Sequence, residues 1–306
     1  MNAIDQHQLG LYEKFKITRT DGKDAPGGKH EHDQYFVLNL TTDKNAIPAL
    51  AAYADACEAD YAQLAADLRG IIAEKVSAAS VYITVPQVTL PDGTIVESFR
   101  AAKYLSSRAT GGFAVSTEDG APWVRINYND ARKACLLSGA TLILESQALA
   151  IAYDISQQDI NWTGGKVGSG SIYQGLHLGS VSEAKPATFE VEDSERRWHQ
   201  LSNGERIYDF AGNAFTWVFD NVQGDIDGKN SKIAADSISL TTAPFPSEEK
   251  GMGWRPDGAR DWSGYALIRG GCWYSGDFAG VFDLDDGWPG YAGDHVGFRC
   301  TKPVGV

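Results

Sequence analysis

Apolar residues recur at three-to-four spacing over 45–73, at Leu50, Tyr53, Cys57, Tyr61, Leu64, Leu68, Ile71 and Ile72. That spacing predicts one long helix, with Pro48 near its start, where a missing amide costs little. Upstream, charge and turn formers mix in DGKDAPGGKHEHD (21–33), ahead of a strand-like YFVLNL at 35–40. The texture changes at Ala79. VYITVPQVTLPDGTIV (81–96) predicts short paired strands around Pro91-Asp92-Gly93. Residues 129–138 predict an amphipathic helix burying Ala131, Ala134, Cys135 and Leu137, and 144–155 a second one. The glycine-rich run 161–179 is loop; it lacks the lysine of a phosphate loop and opens no helix. Short strands and turns follow, with tryptophans at 198, 217, 254, 262, 273 and 288, most of them core positions. The chain thus divides into an N-terminal segment, 1–78, with one long helix, and a domain over 79–306.

The 306 residues suffice to bury a sizeable core. The net charge of −13 repels polyanions and argues against a nucleic-acid partner, leaving solubility or a taste for cationic and hydrogen-bonding ligands. No apolar run approaches the roughly 18 residues of a membrane span. Residues 1–11 carry neither a basic region nor an apolar run, so no secretory signal is expected. That leaves virion, cell surface and cytoplasm all open. Among Cys57, Cys135, Cys272 and Cys300 there is no CxxC pair, which argues against zinc. Cys272 and Cys300 bracket an unusual segment and can pair; the sparse count favours free thiols. His30 and His32 read as solvated loop residues, and His177, His199 and His295 as isolated surface residues.

Three stretches in order resemble the formylglycine-generating-enzyme (sulfatase-modifying factor) family, a variant of the C-type lectin fold. They are ARKACLLSGATLILESQALAIA, IYDFAGNAFTW at 207–217, and LIRGGCWYSGDFAGVF with VGFRC at 296–300. Weaker similarity reaches back to Val81. The resemblance implies an α+β, C-type lectin-like domain preceded by a small helical segment. Gly270 and Gly271 would permit close strand packing, Gly212 and Asn213 a tight turn, and Arg299 an anchor for loops. It also implies where catalysis would sit. The two catalytic cysteine positions of the family fall on Ser275 and Gly280, from which no copper-binding thiolate pair can be built. The iron-binding histidine set of related sulfoxide synthases is missing too, so no catalytic residue is expected. The family's calcium-binding glutamate position is Thr216, so no metal or other cofactor is expected.

YSGDFAGVFDLDDGWPGYAGDH (274–295) carries five aspartates yet no Glu, Gln, Lys or Met. A freely drifting surface loop uses Lys and Glu, so the exclusion has a cause. The segment, within a region of about 272–300, closely resembles the variable region of diversity-generating-retroelement proteins. There, template adenines are randomised, largely in Asn codons ending in C, which cannot yield Glu, Gln, Lys, Met or Trp. Trp288 departs from that pattern. The resemblance implies a hypervariable, ligand-binding set: Tyr274, Ser275, Asp277, Phe278, Asp283, Asp285, Asp286, Gly287, Trp288, Gly290, Tyr291, Gly293, Asp294 and His295. The fixed scaffold would include Arg269–Gly271, Trp273, Gly276, 279–282, Leu284, Pro289 and 296–299. Aromatics beside Asp, Ser and Gly match paratope chemistry.

The expected function is therefore non-catalytic recognition of a protein or cell-surface ligand by a phage- or prophage-encoded protein. A relative of the oxidoreductases with a relocated active site, or a structural phage or surface component, are the alternatives. The pairing of the closing strands, Arg269–Trp273 beside Val296–Arg299, is expected to gather the displayed residues on one face.

Overall fold

A computed structural model describes residues 15–43, 45–109 and 111–305. The expectation of no secretory signal over 1–11 lies outside them. The chain comprises two compact units, Met1–Ala49 and Leu50–Val306. In the first, residues 15–43 form no helix or strand, so the strand expected over 35–40 is not made. Tyr35, Phe36 and Val37 stand exposed there, and among the described residues no strand pairs with them. His30 Nδ1 lies 2.7 Å from Asp33, and His32 is exposed.

The single helix expected over 45–73 is in fact two, α1 (Ala46–Cys57) and α2 (Ala62–Ala79). The Arg69 guanidinium binds both Asp55 and Glu58 at 2.9 Å. In a continuous helix those carboxylates would lie ~16–21 Å from it along the axis. A fold-back at 58–61 brings them together around Ala54, Cys57, Ala65 and Leu68, where small side chains allow close approach. Tyr53, Tyr61 and Leu64, apolar at the right spacing, are exposed.

In chain order there follow β1 (Tyr82–Val85), β2 (Val88–Thr89), β3 (Ile95–Val96) and β4 (Phe99–Ala102). Next come β5 (Ser107–Ala109), β6 (Phe113–Val115), α3 (Tyr128–Leu137), β7 (Thr141–Leu142) and α4 (Glu145–Ser156). The C-terminal part adds β8 (Trp198–Gln200), β9 (Arg206–Tyr208), β10 (Phe215–Val218) and α5 (Ile238–Thr241). Last are β11 (Ala266–Arg269), β12 (Leu284–Gly287), β13 (Val296–Phe298) and β14 (Cys300–Pro303). This is the α+β class that the resemblance implies. The Pro-Asp-Gly hairpin is made by β2 and β3, with Gly93 at φ +91°, whereas β1 pairs with β4. Both amphipathic helices form within a residue of their expected bounds. In α3, Tyr128 is buried with Ala131, Ala134 and Cys135, while Leu137 is only half-buried.

Two four-stranded sheets carry the architecture, ordered β1-β4-β14-β7 and β12-β11-β10-β13. In the second, side chains alternate between two cores. Val218, Leu267 and Leu284 join the larger one with α4. Trp217, Ile268, Val296 and Phe298 join the smaller one with α3. The closing strands are not neighbours, contrary to expectation: β10 lies between them, antiparallel to β11 and parallel to β13. Gly212 and Asn213, both at positive φ, turn the chain so that Phe215 enters that central slot.

Cys135 of α3 and Cys300 at the head of β14 form a disulfide, with Cα atoms 5.7 Å apart. Cys57 and Cys272 are free and buried. Both cysteine expectations are thereby corrected: β14 pairs with β7, which follows α3 and so brings Cys300 to the helix. Cys272 instead turns its sulfur to Ser275 Oγ, at 3.2 Å. His177 and His199, expected at the surface, are buried. His199 Nε2 meets the Tyr173 carbonyl at 2.7 Å, and burial lowers its pKa to about 4, so it is neutral. Arg299 is fully buried and donates to the carbonyls of Ala102 and Tyr208 at 2.6 Å and of Asp209 at 3.1 Å, fulfilling its anchoring role.

The pair of Glu145 and Arg269 joins α4 to β11. Arg269 Nε donates to Glu145 Oε2 at 2.6 Å, Nη2 donates to Oε1, and both side chains are almost wholly buried. Removing one partner strands a charge in the core. Glu145→Ala is expected to cost about 3–5 kcal/mol in denaturant unfolding, and Phe298→Ala a similar ~3–5 kcal/mol through the cavity it leaves.

Candidate ligand-binding face

The segment 270–295 begins with two backbone positions that need glycine. Gly270 (φ +98°) and Gly271 (φ +79°) end β11, and a Cβ on Gly271 would lie 2.6 Å from the Ala279 Cα. The Cys272 amide then donates to the Ser275 hydroxyl oxygen at 2.9 Å, closing a turn that leaves Tyr274 outside. A short 3-10 turn over Gly276–Phe278 follows. It is held by the amide of Gly276 on the His177 carbonyl (2.9 Å) and by Gln174 Nε2 on the Ala279 carbonyl (2.7 Å).

Residues 279–284 then pass through the core. Ala279, Val281, Phe282 and Leu284 are buried, and a Cβ on Gly280 would sit 2.2 Å from the Gly253 amide nitrogen. Trp254 bridges the two halves, donating to the Phe278 carbonyl (2.9 Å) and accepting from the Leu284 amide (2.8 Å). β12 is an edge strand, and β13 is the opposite edge of the same sheet. Residues 288–295 therefore cross the width of the sheet. The amides of Tyr128 and Arg125 pin this crossover at the carbonyls of Pro289 (3.2 Å) and Gly293 (2.9 Å).

The crossover ends in an aromatic cluster. The His295 ring lies 5.4 Å from Tyr274, 5.8 Å from Tyr291 and 6.1 Å from Phe215. Trp273 meets Tyr274 edge-on at 4.4 Å. Asp294 accepts from Arg125 at 3.1 Å, and hydrogen bonding to His295 holds its carboxyl below the usual range.

Most of the fourteen expected residues reach solvent. Tyr274, Asp277, Phe278, Trp288, Gly290, Tyr291 and Asp294 are exposed, Trp288 the most at 67%. Ser275, Asp285, Asp286, Gly293 and His295 are half-buried. Two depart from display. Asp283 is 2% exposed, one of its oxygens has no hydrogen-bond partner, and burial raises its pKa well above the carboxylate range. Gly287 is buried, and a Cβ there would lie 2.5 Å from the Trp217 ring. Of the scaffold positions, Trp273 is half-buried rather than core. Burial also raises Asp285, and raises Asp286 to about 6, with Asp285 nearby adding to the latter.

Supports of the face that no local motif announced are the Glu145–Arg269 pair, Arg125, and a buried cluster at the Gly-Asn turn. In that cluster Arg197 grips Asp209 with two bonds of 2.7 Å, and Asn213 donates to the same carboxylate at 3.1 Å. Asp209 follows the Tyr-Asp motif, but its arginine lies twelve residues upstream, outside any quoted stretch.

No protein-family model and no curated protein matches the chain. Solved structures do resemble it at a distance. PvdO from Pseudomonas aeruginosa aligns over 73% of this chain and 92% of its own, at 14% identity and TM-score 0.37. Treponema denticola variable protein 1 covers 74% and 93%, at 14% and 0.33. The P3c variant of Major Tropism Determinant covers 71% and 52%, at 14% and 0.34. Function is therefore read from this chain's own residues.

Asp283 supplies a pH test. A raised carboxyl pKa means the folded state holds a proton that the unfolded state releases, so this group's stabilising effect is present at low pH and lost as pH rises past ~4 toward its folded pKa. Asp283→Asn imitates the protonated form. Its melting temperature should exceed the parent's at pH 7.5, with the gap narrowing toward pH 4.5; a gap independent of pH would contradict a buried neutral carboxyl.

Proposed function

We propose that this protein is a non-catalytic ligand-binding protein of C-type lectin type, whose displayed residues are diversified by a retroelement and whose ligand is a protein or cell-surface group. The lectin-like domain begins near residue 79. The observation that carries the reading is the division of labour along 270–298. Buried Ala279, Val281, Phe282, Leu284, Val296 and Phe298 are interspersed with exposed Tyr274, Asp277, Phe278, Tyr291 and Asp294, with Asp285 and Asp286 half-buried between them. Side chains of the second kind can change without repacking the core. They mix rigid aromatic area with short polar groups, the composition of a paratope.

The oxidoreductase alternative is disfavoured by the same segment. Where the family has its second catalytic cysteine stands Gly280, and the contact with Gly253 leaves no room for any Cβ. The other position is Ser275, bonded to a buried thiol whose pKa burial raises. Incubation with copper, oxygen and a sulfatase-type cysteine peptide should give no formylglycine by mass spectrometry; stoichiometric conversion would refute the reading.

Display is tested by tolerance. Replacing Tyr274 and Tyr291 with Ser, and Asp277 and Asp294 with Ala, should shift stability by no more than ~0.5 kcal/mol per site. Gly287→Ala, pressed on Trp217, should be clearly worse than any of them. A quadruple variant that unfolds would make the segment structural. At the locus, a near-copy of the 272–300 coding segment mismatched at adenines, beside a reverse transcriptase, is the expected genetic signature.

A further inference from the structure

Resting on that reading, we infer that Gly290 and Gly293 are specificity-determining positions of the displayed face, acting by seating the rings of Trp288 and Tyr291 rather than by touching the ligand themselves. A Cβ on Gly290 would lie 2.4 Å from Trp288 Nε1. One on Gly293 would lie 2.6 Å from the Tyr291 hydroxyl oxygen and 2.7 Å from its Cε1 and Cζ. Each ring thus rests over the glycine two residues further on. Non-bonded carbons settle ~3.5–4.0 Å apart, so even an alanine at either position displaces the ring by about 1 Å.

The ring yields, and the chain does not. Neither glycine has a positive φ, so the backbone at both positions accepts an L side chain. The crossover is also pinned through main-chain atoms alone. The Tyr291 amide donates to the Trp288 carbonyl at 2.8 Å, the Tyr128 amide to that of Pro289 at 3.2 Å, and the Arg125 amide to that of Gly293 at 2.9 Å. The rings carry no comparable restraint. Trp288 is the most exposed aromatic residue of the segment, and among the described residues its indole makes no hydrogen bond and no ring contact. Tyr291 is exposed too, its hydroxyl 3.4 Å from His295 Nε2 and the two ring centres 5.8 Å apart.

Three other glycines of the segment differ in kind. Gly271 and Gly280 face main-chain atoms of Ala279 and Gly253, and Gly287 faces the fully buried Trp217 ring. A side chain there meets something that cannot swing aside. At 290 and 293 it meets the free end of an exposed ring, which can move to another rotamer. A change at 290 therefore re-aims Trp288, and one at 293 lifts Tyr291 and parts its hydroxyl from His295. Trp and Tyr are among the residue types that most often carry binding energy, so two small substitutions reshape the face while the fold stays as it is.

The experiment uses the full-length protein and reads the rings by NMR, through tryptophan indole N–H signals and contacts between aromatic protons, with Trp288 assigned from Trp288→Phe. Gly290→Ala should move the Trp288 signal and leave those of the buried Trp162 and Trp217 in place. Gly293→Ala should abolish the contact between Tyr291 and His295. Gly258→Ala, at a glycine with open space around it and no positive φ, should do neither. Binding is read with a Fab raised against the folded protein and chosen because Trp288→Ala weakens it by about tenfold or more. Gly290→Ala should change its affinity by about threefold or more, but by less than about twofold once Trp288 is already alanine, the non-additivity expected when one residue acts through another. A Trp288 signal that stays put in Gly290→Ala, a Tyr291–His295 contact that survives Gly293→Ala, an affinity change that persists without the Trp288 ring, or unfolding of either alanine variant would each overturn the inference. None of these outcomes decides whether the segment is a display surface, which the tolerance variants read with both glycines intact.

Discussion

One buried guanidinium organises the end of the second sheet from which the 270–295 segment departs. Arg269 sits at the last position of β11, just before the 270–295 segment, and is locked to Glu145 of α4. The same group reaches the Asp283 carbonyl at 3.2 Å, on the stretch that returns from that segment into β12. Helix, outgoing strand and returning loop are thus fixed by one planar set of donors, whose geometry suits several acceptors at once. Its cost is that two charges are buried, which is tolerable only while both are present. Everything beyond Gly270 therefore starts from a rigid take-off point, and the loops can differ in sequence without moving the strands that carry them.

Local pattern revealed much of this. The helices α3 and α4 follow from apolar spacing, the β2–β3 hairpin from Pro-Asp-Gly, and the anchoring role of Arg299 from the family resemblance. Tyr274, Asp277, Tyr291 and Asp294, singled out by the residue types missing around them, are all exposed. What escaped was set by distant partners. Glu145 looks like any acid in a helix's first turn until Arg269, 124 residues later, is placed beside it. Cys300 finds Cys135 only because β14 lies against β7. Asp283 reads like its neighbours Asp285 and Asp286, but the tight passage of Gly280 past Gly253 turns it inward.

The helix break at 58–61 shows the opposite failure, in which local pattern misled. Tyr53, Tyr61 and Leu64 keep helical spacing yet face solvent, while alanines form the contact between α1 and α2. Apolar periodicity marks where a buried stripe can be, and small side chains decide which stripe is used when two short helices fold together. Strand order likewise depended on an insertion: β10 enters between β11 and β13 through positive-φ residues at Gly212 and Asn213, a feature invisible to pairing arguments based on proximity in sequence.

The link between Cys135 and Cys300 closes a covalent ring with a sequence separation of 165 residues, and every displayed side chain lies inside it. On the chain-entropy account, a ring of that length removes ~5 kcal/mol of conformational freedom from the unfolded ensemble. That contribution depends on ring length alone and is blind to which side chains the loop carries. Exchange of side chains within that ring leaves this contribution in place. Within the ring, the positions where a side chain costs folding free energy are the tightly packed ones, such as Gly280 against Gly253 and Gly287 against Trp217.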